Sequence, residues 1–146
     1  TYSSEKIDKY NSSQIRIAIW KTSLENIKEA PIFGYGIGDV KSVLNESYKS
    51  NFPLLLEKNY NSHNQYFGIW LSTGIIGLLL FFYFLSFNYK LAIDSKDYLF
   101  LAILIFFSLN FLTENILERQ TGAMLFFFLI NLFGFYNYKK LLRLKL

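Results

Sequence analysis

The sequence contains no cysteine, and its 146 residues include one histidine, one methionine and two prolines. The absence of cysteine excludes a disulfide framework and a thiolate metal site. A single histidine without clustered carboxylates also argues against a metal site built from side chains. We therefore expect no metal and no other cofactor.

Charged residues are missing from a long stretch, residues 66–87. A helix rises about 1.5 Å per residue, so about 20 apolar residues cross the hydrocarbon core of a bilayer, which is about 30 Å thick. The chain as a whole is 52% hydrophobic and 20% aromatic, which is typical of an integral membrane protein. The stretch therefore predicts a transmembrane helix.

Two more apolar runs follow, at 98–112 and 122–138. The first of them is short and would cross a bilayer only with tilt or local thinning of the membrane. The segments between the runs, 88–97 and 114–121, are interpreted as short polar connections. The sequence therefore predicts an all-α fold, a polytopic membrane helix bundle with about three transmembrane helices.

Positive charge at the end of the chain sets the predicted orientation. The tail after the last run has four Lys or Arg residues and no acid, at positions 139, 140, 143 and 145. Short Lys/Arg-rich segments stay in the cytoplasm, whereas long segments translocate largely regardless of charge. We expect an outer-face helical region at 1–62 and a three-helix membrane region with a cytoplasmic tail at 63–146. Because three spans are few for a membrane enzyme, we expect the C-terminal part of a longer polytopic protein.

The outer region has eight Lys/Arg and seven Asp/Glu, so it offers no basic patch to a nucleic acid. Apolar residues at helical spacing predict an amphipathic helix over 14–30, capped by Ser12 or Ser13 and ended by Pro31. Arg16 lies beside the apolar stripe, on the face of Trp20. Two interpretations stay open: an inward guanidinium that grips phosphate, or a snorkelling surface arginine.

A glycine-rich stretch follows, with the sequence P-I-F-G-Y-G-I-G-D at 31–39. It is not a dinucleotide-binding loop, because the pattern G-x-G-x-x-G would need glycine where Asp39 stands. We interpret it as a tight connection in which Gly34 and Gly36 permit positive φ. Asp39 is expected to cap a short helix over 40–48, after which Leu54, Leu55 and Leu56 are expected to dip into the membrane interface.

The only histidine precedes the first span. Ser62 with Gln65 three residues later is a capping-box pattern, which predicts Ser62 as N-cap and His63 in the first turn. The positive end of a helix favours a neutral imidazole, which can act as a base. The alternative is that His63 is a polar residue at the membrane interface without a catalytic role. Helical periodicity also predicts that four residues share the face of His63, namely Phe67, Trp70, Gly74 and Gly77.

Gly74 and Gly77 lack side chains, so a neighbouring helix could approach closely there.

Farther along, Glu114 and Glu118 lie in the predicted outer connection, where an ionisable group is a functional candidate or simply solvates a helix end. Arg119 is expected to pair with Glu114 locally. A histidine base, an arginine and these carboxylates at the outer surface suit metal-free transfer of a group from a lipid-linked pyrophosphate to an alcohol.

These motifs carry a family resemblance. The segment R-I-A-I-W-K from Arg16, followed by P-I-F-G-Y-G-I-G at 31–38, resembles the outer-loop signature of the O-antigen ligase and Wzy-type polymerase family. His63-Asn64, nine residues, and then Gly74-x-x-Gly77 is similar to the H-N-x9-G-x-x-G signature of that family. The stretch T-E-N-I-L-E-R-Q-T-G at 113–122 resembles its later outer loop. Together the resemblance covers roughly residues 14–122.

The resemblance implies a metal-independent glycosyltransferase of the polytopic GT-C type in the bacterial inner membrane. Such an enzyme moves a glycan from undecaprenyl pyrophosphate to a sugar hydroxyl on the periplasmic face, and the acceptor is lipid A core or another growing chain. Carried over by position, His63 would activate the acceptor hydroxyl and Arg16 would hold the pyrophosphate. Asn64, Glu114 and Glu118 are the further substrate-binding candidates.

Ligases of the family use a second basic residue in the outer loop. No second arginine is present in 1–62, so the options are Lys41, Lys49 and Lys58. Two other classes of function are weighed against the transferase. A flippase or permease fragment predicts polar midplane residues and broken helices, and the uncharged spans count against it. A structural membrane subunit would leave Arg16 and His63 without chemistry.

Overall fold

The computed structural model describes residues 11–56 and 60–143, with the backbone alone at Leu54. Every regular element in these ranges is helical, so the all-α prediction is confirmed. The elements are α1 (Ser12–Glu29), α2 (Val40–Asn51), α3 (Pro53–Leu56), α4 (Gln65–Asp94), α5 (Tyr98–Asn110), a 3₁₀ turn (Ile116–Glu118) and α6 (Gln120–Arg143). The described residues form two compact units, which divide between Leu78 and Leu79. The predicted division at 62/63 concerns membrane topology and stays a prediction.

Two helices are long and apolar enough to cross a membrane, α4 with 30 residues and α6 with 24. Helix α5 is apolar but has 13 residues, which at about 1.5 Å per residue span about 20 Å and fall short of the hydrocarbon thickness. Helix α4 continues to Asp94, so the predicted connection 88–97 shrinks to a turn at 95–97. Helix α6 continues to Arg143 and includes the start of the predicted tail.

The first unit is built on one face of α1. Ile19 and Ile27 are buried from α1, and they join Leu44 and Tyr48 of α2 in one apolar core. The opposite face of α1 is exposed and carries Lys21, Glu25, Lys28 and Glu29, as predicted. Leu55 also packs into this core, so the prediction that residues 54–56 dip into the membrane is wrong at Leu55.

The starts of α1 and α4 differ from the predictions, because in each case another residue caps the helix. Helix α1 already includes Ser12, and its N-cap is Asn11, whose backbone N–H donates to the side chain of Gln14 at 3.2 Å. At α4 the cap is Asn64, whose Oδ1 accepts from the Phe67 N–H at 3.1 Å. The hydroxyl of Ser62 donates instead to the Asn64 carbonyl at 2.9 Å. The prediction of Ser62 as N-cap is therefore wrong.

Helix α4 is broken at Gly74, where φ is +69° and ψ is −170°. This backbone conformation is essentially restricted to glycine. In a regular helix the Ile75 N–H would donate to the Leu71 carbonyl. Here the Ile75 N–H donates to the Pro31 carbonyl at 2.9 Å, and the Leu71 carbonyl accepts from the Tyr35 N–H at 2.7 Å. The glycine-rich stretch thus provides a new partner for the donor at Ile75 and for the acceptor at Leu71.

A further backbone bond, from Gly36 N–H to the Ser72 carbonyl at 2.9 Å, completes the docking of residues 31–38 on α4. We call these residues the glycine loop. Gly34 and Gly36 have φ of +67° and +92°, as expected for a tight connection. A Cβ atom on Gly34 would lie 2.5 Å from the Leu71 carbonyl oxygen, so only glycine fits.

The neighbour that approaches α4 at Gly74 is this loop and not a helix, because a Cβ atom on Gly74 would overlap the carbonyl of Ile32. At Gly77 the close neighbour lies in α4 itself. A Cβ atom there would overlap the hydroxyl of Thr73 in the same helix, and that hydroxyl donates to the Ile69 carbonyl at 2.8 Å. The prediction of a neighbouring helix is therefore wrong at Gly74, where the loop takes that place, and at Gly77 it stays a prediction.

The second unit has an aromatic core. The ring of Phe126 on α6 packs edge to face against Phe107 and Phe111, with centroid distances of 5.1 Å and 5.3 Å. The turn before α5 is tied to α6 by two polar contacts. Asn137 Nδ2 donates to Asp97 Oδ2 at 2.8 Å, and Lys140 Nζ donates to the Ser95 carbonyl at 2.8 Å.

Asp97 caps α5 by accepting from the Phe100 N–H at 3.0 Å. Partial burial acts to raise the pKa of Asp97, but the hydrogen bonds from Phe100, Asn137 and Leu99 and the charge of Lys140 outweigh it and lower that pKa below 3.8. A carboxylate with a lowered pKa stabilises the fold at neutral pH.

We predict that Gly74→Ala destabilises the full-length protein, by about 1–3 kcal/mol from backbone strain alone, with a further loss from the overlap at Ile32. The measurement is the thermal midpoint of the detergent-solubilised protein. Gly38→Ala is the matched control, because nothing lies within 4 Å of a Cβ atom at Gly38 and its φ is not positive. Equal midpoints for the two variants would contradict the role of the break.

We predict that Asp97→Asn lowers the free energy of unfolding by about 1–2 kcal/mol at pH 7, because an amide loses the charge and points its NH₂ at Asn137. The folded pKa is lowered, so this contribution is present above about pH 4 and is lost as the pH falls through the folded pKa. Thermal midpoints at pH 7 and in acid check the trend. Asp94→Asn, which affects an exposed pair with Lys90 at 3.3 Å, should change little.

Candidate functional site

His63 lies just before α4 and not in its first turn. Its φ is +45°, a left-handed conformation that few residues other than glycine adopt. Its N–H donates to Asn61 Oδ1 at 3.2 Å, and its ring lies 5.6 Å from that of Tyr60 between centroids. The residue is half-buried, and its Nδ1 atom is buried. The backbone N–H and the ring of His63 therefore both contact the segment that precedes it.

Because His63 is outside the helix and Gly74 interrupts it, the predicted common face of His63, Phe67, Trp70, Gly74 and Gly77 is wrong. The aromatic members have separate contacts. The ring of Phe67 packs edge to face against Trp20 with centroids 6.3 Å apart. The indole N–H of Trp70 donates to the Pro31 carbonyl at 3.0 Å, which adds another hydrogen bond between α4 and the glycine loop.

Helix α1 meets the histidine through Trp20. The indole N–H of Trp20 donates to the carbonyl of His63 at 3.4 Å. Arg16 lies four residues earlier in the same helix and therefore one turn away on the same face. Arg16 is half-buried, whereas Lys21 on the other face is exposed. The structure thus brings Trp20, one turn from Arg16, to the residue that precedes the cap of α4. Whether the guanidinium of Arg16 faces inward or snorkels stays a prediction.

Polar residues of α1 and α2 form hydrogen bonds next to the glycine loop. The Tyr35 hydroxyl donates to the Asn26 carbonyl at 2.9 Å and to the Glu29 carboxylate at 3.3 Å. Asn26 is buried, and its Oδ1 accepts from the Ser47 hydroxyl at 3.0 Å. Burial raises the pKa of the Tyr35 hydroxyl, and the neighbouring Glu29 raises it further. Sequence analysis did not predict these contacts. The amide and hydroxyl side chains beside the apolar stripe of α1, at Asn26 and Ser23, are buried and were a usable signal for them.

The carboxylates of the later connection belong to the second unit. Glu114 pairs with Arg119 at 3.8 Å, which confirms the predicted local pairing. Glu118 is exposed and hydrogen-bonds to the side chain of buried Asn115. Gly122 lets the 3₁₀ turn close against α6, because a Cβ atom there would overlap the carbonyl of Ile116. A shared role of Glu114 and Glu118 with His63 stays a prediction.

The second basic residue has two options in the described chain, Lys41 and Lys49, and both are exposed on α2. Lys58 lies outside the described residues. Among residues 11–56 and 60–143, no group of three or more acidic, histidine or cysteine side chains is placed to hold a metal ion.

Comparison with known proteins decides the family. Residues 2–82 match the family model described as O-antigen ligase. This match covers more than half of the chain and includes α1, the glycine loop, His63 and the break at Gly74. The chain belongs to the O-antigen ligase family. Membership and the two long apolar helices indicate a membrane protein.

A relative from Haemophilus influenzae, an uncharacterized protein, is 28% identical to this O-antigen ligase family chain over 134 residues. The alignment covers 84% of this chain and 34% of the relative. The chain therefore spans about a third of the length of the relative it matches. No solved structure matches the chain.

Proposed function

We propose that this chain contributes the active site of a glycosyltransferase that moves a glycan from undecaprenyl pyrophosphate to a sugar hydroxyl. The observation that carries the proposal is the hydrogen bond from the Trp20 indole to the His63 carbonyl, which brings the helical turn of Arg16 to the only histidine. A base and a guanidinium near one another are the groups that this transfer needs. Membership of the O-antigen ligase family supports the same class of reaction.

In the proposed reaction the imidazole of His63 takes the proton of the acceptor hydroxyl, whose oxygen forms the new bond to the anomeric carbon of the donor. The bond from that carbon to the pyrophosphate oxygen breaks, and undecaprenyl pyrophosphate leaves with the electron pair. The guanidinium of Arg16 stabilises the negative charge that grows on the leaving group, because its planar fork matches phosphate oxygens. The acceptor is a growing glycan chain for a polymerase and lipid A core for a ligase.

Asn64 has a different part in this proposal from the one predicted. Its side chain is buried and caps α4 through the Phe67 N–H, and its carbonyl accepts from Ser62. We assign it the positioning of His63 and no contact with substrate. Glu114 and Glu118 are proposed to bind hydroxyl groups of the sugars, for which exposed carboxylate oxygens are suitable acceptors.

The orientation in the membrane is also a proposal. Lys140 of α6 contacts the turn at 95–97, so the end of α6 and the turn between α4 and α5 lie at one end of the second unit. Lys90, Lys96, Lys139 and Arg143 add positive charge near these segments. Short basic segments remain in the cytoplasm. We place this end inside and the start of α4, with His63, on the extracytoplasmic face of the bacterial inner membrane.

The transport alternative is favoured by one observation, because broken helices line the paths of many transporters. At Gly74, however, the glycine loop occupies the break and bonds to Leu71, Ser72 and Ile75. Because the loop already bonds to the backbone groups that the break exposes, those groups are not available to bind a solute. The transferase is therefore the better proposal.

We predict that His63→Asn lowers glycan transfer by about 100-fold or more, because it removes the base. Asparagine adopts the left-handed conformation readily, so the fold is retained. The measurement is product formed by membranes that contain the full-length protein and a lipid-linked donor, at equal protein level. Lys96→Asn is the matched control, since Lys96 also has a positive φ, of 55°. Normal transfer by His63→Asn would end the catalytic assignment.

We predict that Arg16→Gln lowers the same transfer by at least about 10-fold, whereas Arg16→Lys recovers it only in part, because lysine keeps the charge and loses the bidentate fork. Lys21→Gln on the exposed face of α1 serves as the control for loss of one positive charge. The assay varies the donor concentration to separate KM from kcat. Equal behaviour of the Arg16 and Lys21 variants would show that Arg16 is a surface residue.

A further inference from the structure

The glycine loop, residues 31–38, has two different sides. It contains no charged residue, and three large apolar side chains are exposed on it: Ile32 at 53%, Phe33 at 77% and Ile37 at 84%. Tyr35 contacts the protein instead, because its hydroxyl donates to the Asn26 carbonyl of α1. One side of the loop is therefore anchored to the unit, and the other presents an apolar surface.

The position of the loop along α4 is fixed by backbone hydrogen bonds to Leu71, Ser72 and Ile75. Lys90 is the first charged residue after the apolar stretch of α4. The regular helix from Ile75 to Lys90 is about 23 Å long at about 1.5 Å per residue, which is shorter than the hydrocarbon thickness of about 30 Å. The break at Gly74 therefore lies within the hydrocarbon, and Trp70, before the break, lies near its outer edge. The glycine loop is thus attached at the outer hydrocarbon boundary. Tryptophan is enriched at such boundaries.

The break at Gly74 lies on the hydrocarbon side of that boundary. Backbone that is not helical is tolerated at membrane depth only where protein satisfies its polar groups. The glycine loop supplies those partners, so it has to reach the same depth as the break. Its apolar outer side then faces the acyl chains of the outer leaflet, whereas in water it would be an exposed apolar patch.

The residues that flank the loop are charged and exposed. Lys28 and Glu29 end α1 before it, and Asp39 and Lys41 begin the chain after it. These charges stay at the headgroup level while an apolar tip between them enters the acyl boundary.

We propose that the glycine loop is inserted into the outer leaflet and that bilayer lipid acyl chains cover Ile32, Phe33 and Ile37. This contact holds whether or not His63 is a base.

The test attaches a nitroxide spin label to a single cysteine in the full-length protein, reconstituted in vesicles of phosphatidylethanolamine and phosphatidylglycerol. This chain has no cysteine of its own, so Phe33→Cys and Ile37→Cys give unique labels in it, and cysteines elsewhere in the protein are replaced by serine. Lys41→Cys is the control on the exposed start of α2. Electron paramagnetic resonance measures collisions with oxygen, which partitions into lipid, and with a water-soluble nickel chelate.

We expect the oxygen-to-nickel collision ratio at Phe33 and Ile37 to exceed that at Lys41 by several-fold. Nickel collisions as frequent at Phe33 as at Lys41 would place the loop in water and overturn the proposal. Low collision rates with both reagents would mean that other protein covers the loop, which also overturns it. Nitroxide lipids labelled along the acyl chain, with a fluorophore at Phe33→Cys, give an independent depth. Glycan transfer by the same variants separates this result from the catalytic proposal.

Discussion

The structure depends on an exchange of backbone hydrogen bonds between α4 and the glycine loop. Ile75 N–H and the Leu71 carbonyl, which a regular helix would pair with each other, each bond to the loop instead. The exchange is possible because Gly74 adopts a conformation restricted to glycine and Gly34 brings its backbone against Leu71. The glycine loop and the motif that contains Gly74 are distant in sequence, and they thereby form one structural feature. Since α1 leads directly into the loop, the same contact also sets where α1 lies along α4.

The candidate site follows from that placement. With α1 held against the first turns of α4, the indole of Trp20 reaches the carbonyl of His63, and Arg16 lies one turn away on the same face. The backbone of His63 is held by its own left-handed conformation, by Asn61, which accepts from its N–H, and by Trp20, which donates to its carbonyl. A group fixed in this way loses little freedom when a substrate binds, which is the physical meaning of a preorganised site.

Much of the helical pattern was predictable, because periodicity and charge mark α1, α4 and α6 in the sequence alone. The errors have definite causes. Ser62 and Asn64 are both good caps, and the side chain of Asn64 is the one that reaches the Phe67 N–H. The break at Gly74 depends on a partner 40 residues earlier in the chain, which no local pattern contains. Arg16 was found from its helical face, whereas the contact of Trp20 with His63 arises only from tertiary packing.

The loop that seals α4 has a consequence for how the protein is made. A helix released alone into lipid with a gap at Gly74 would leave the Leu71 and Ser72 carbonyls and the Ile75 N–H facing hydrocarbon, at a cost of several kcal/mol for each group. The segment that satisfies them is synthesised first and, in the proposed topology, has to be exported before α4 is complete. In the proposed topology, translocation of residues 31–38 and integration of α4 with its break are therefore coupled steps of biogenesis.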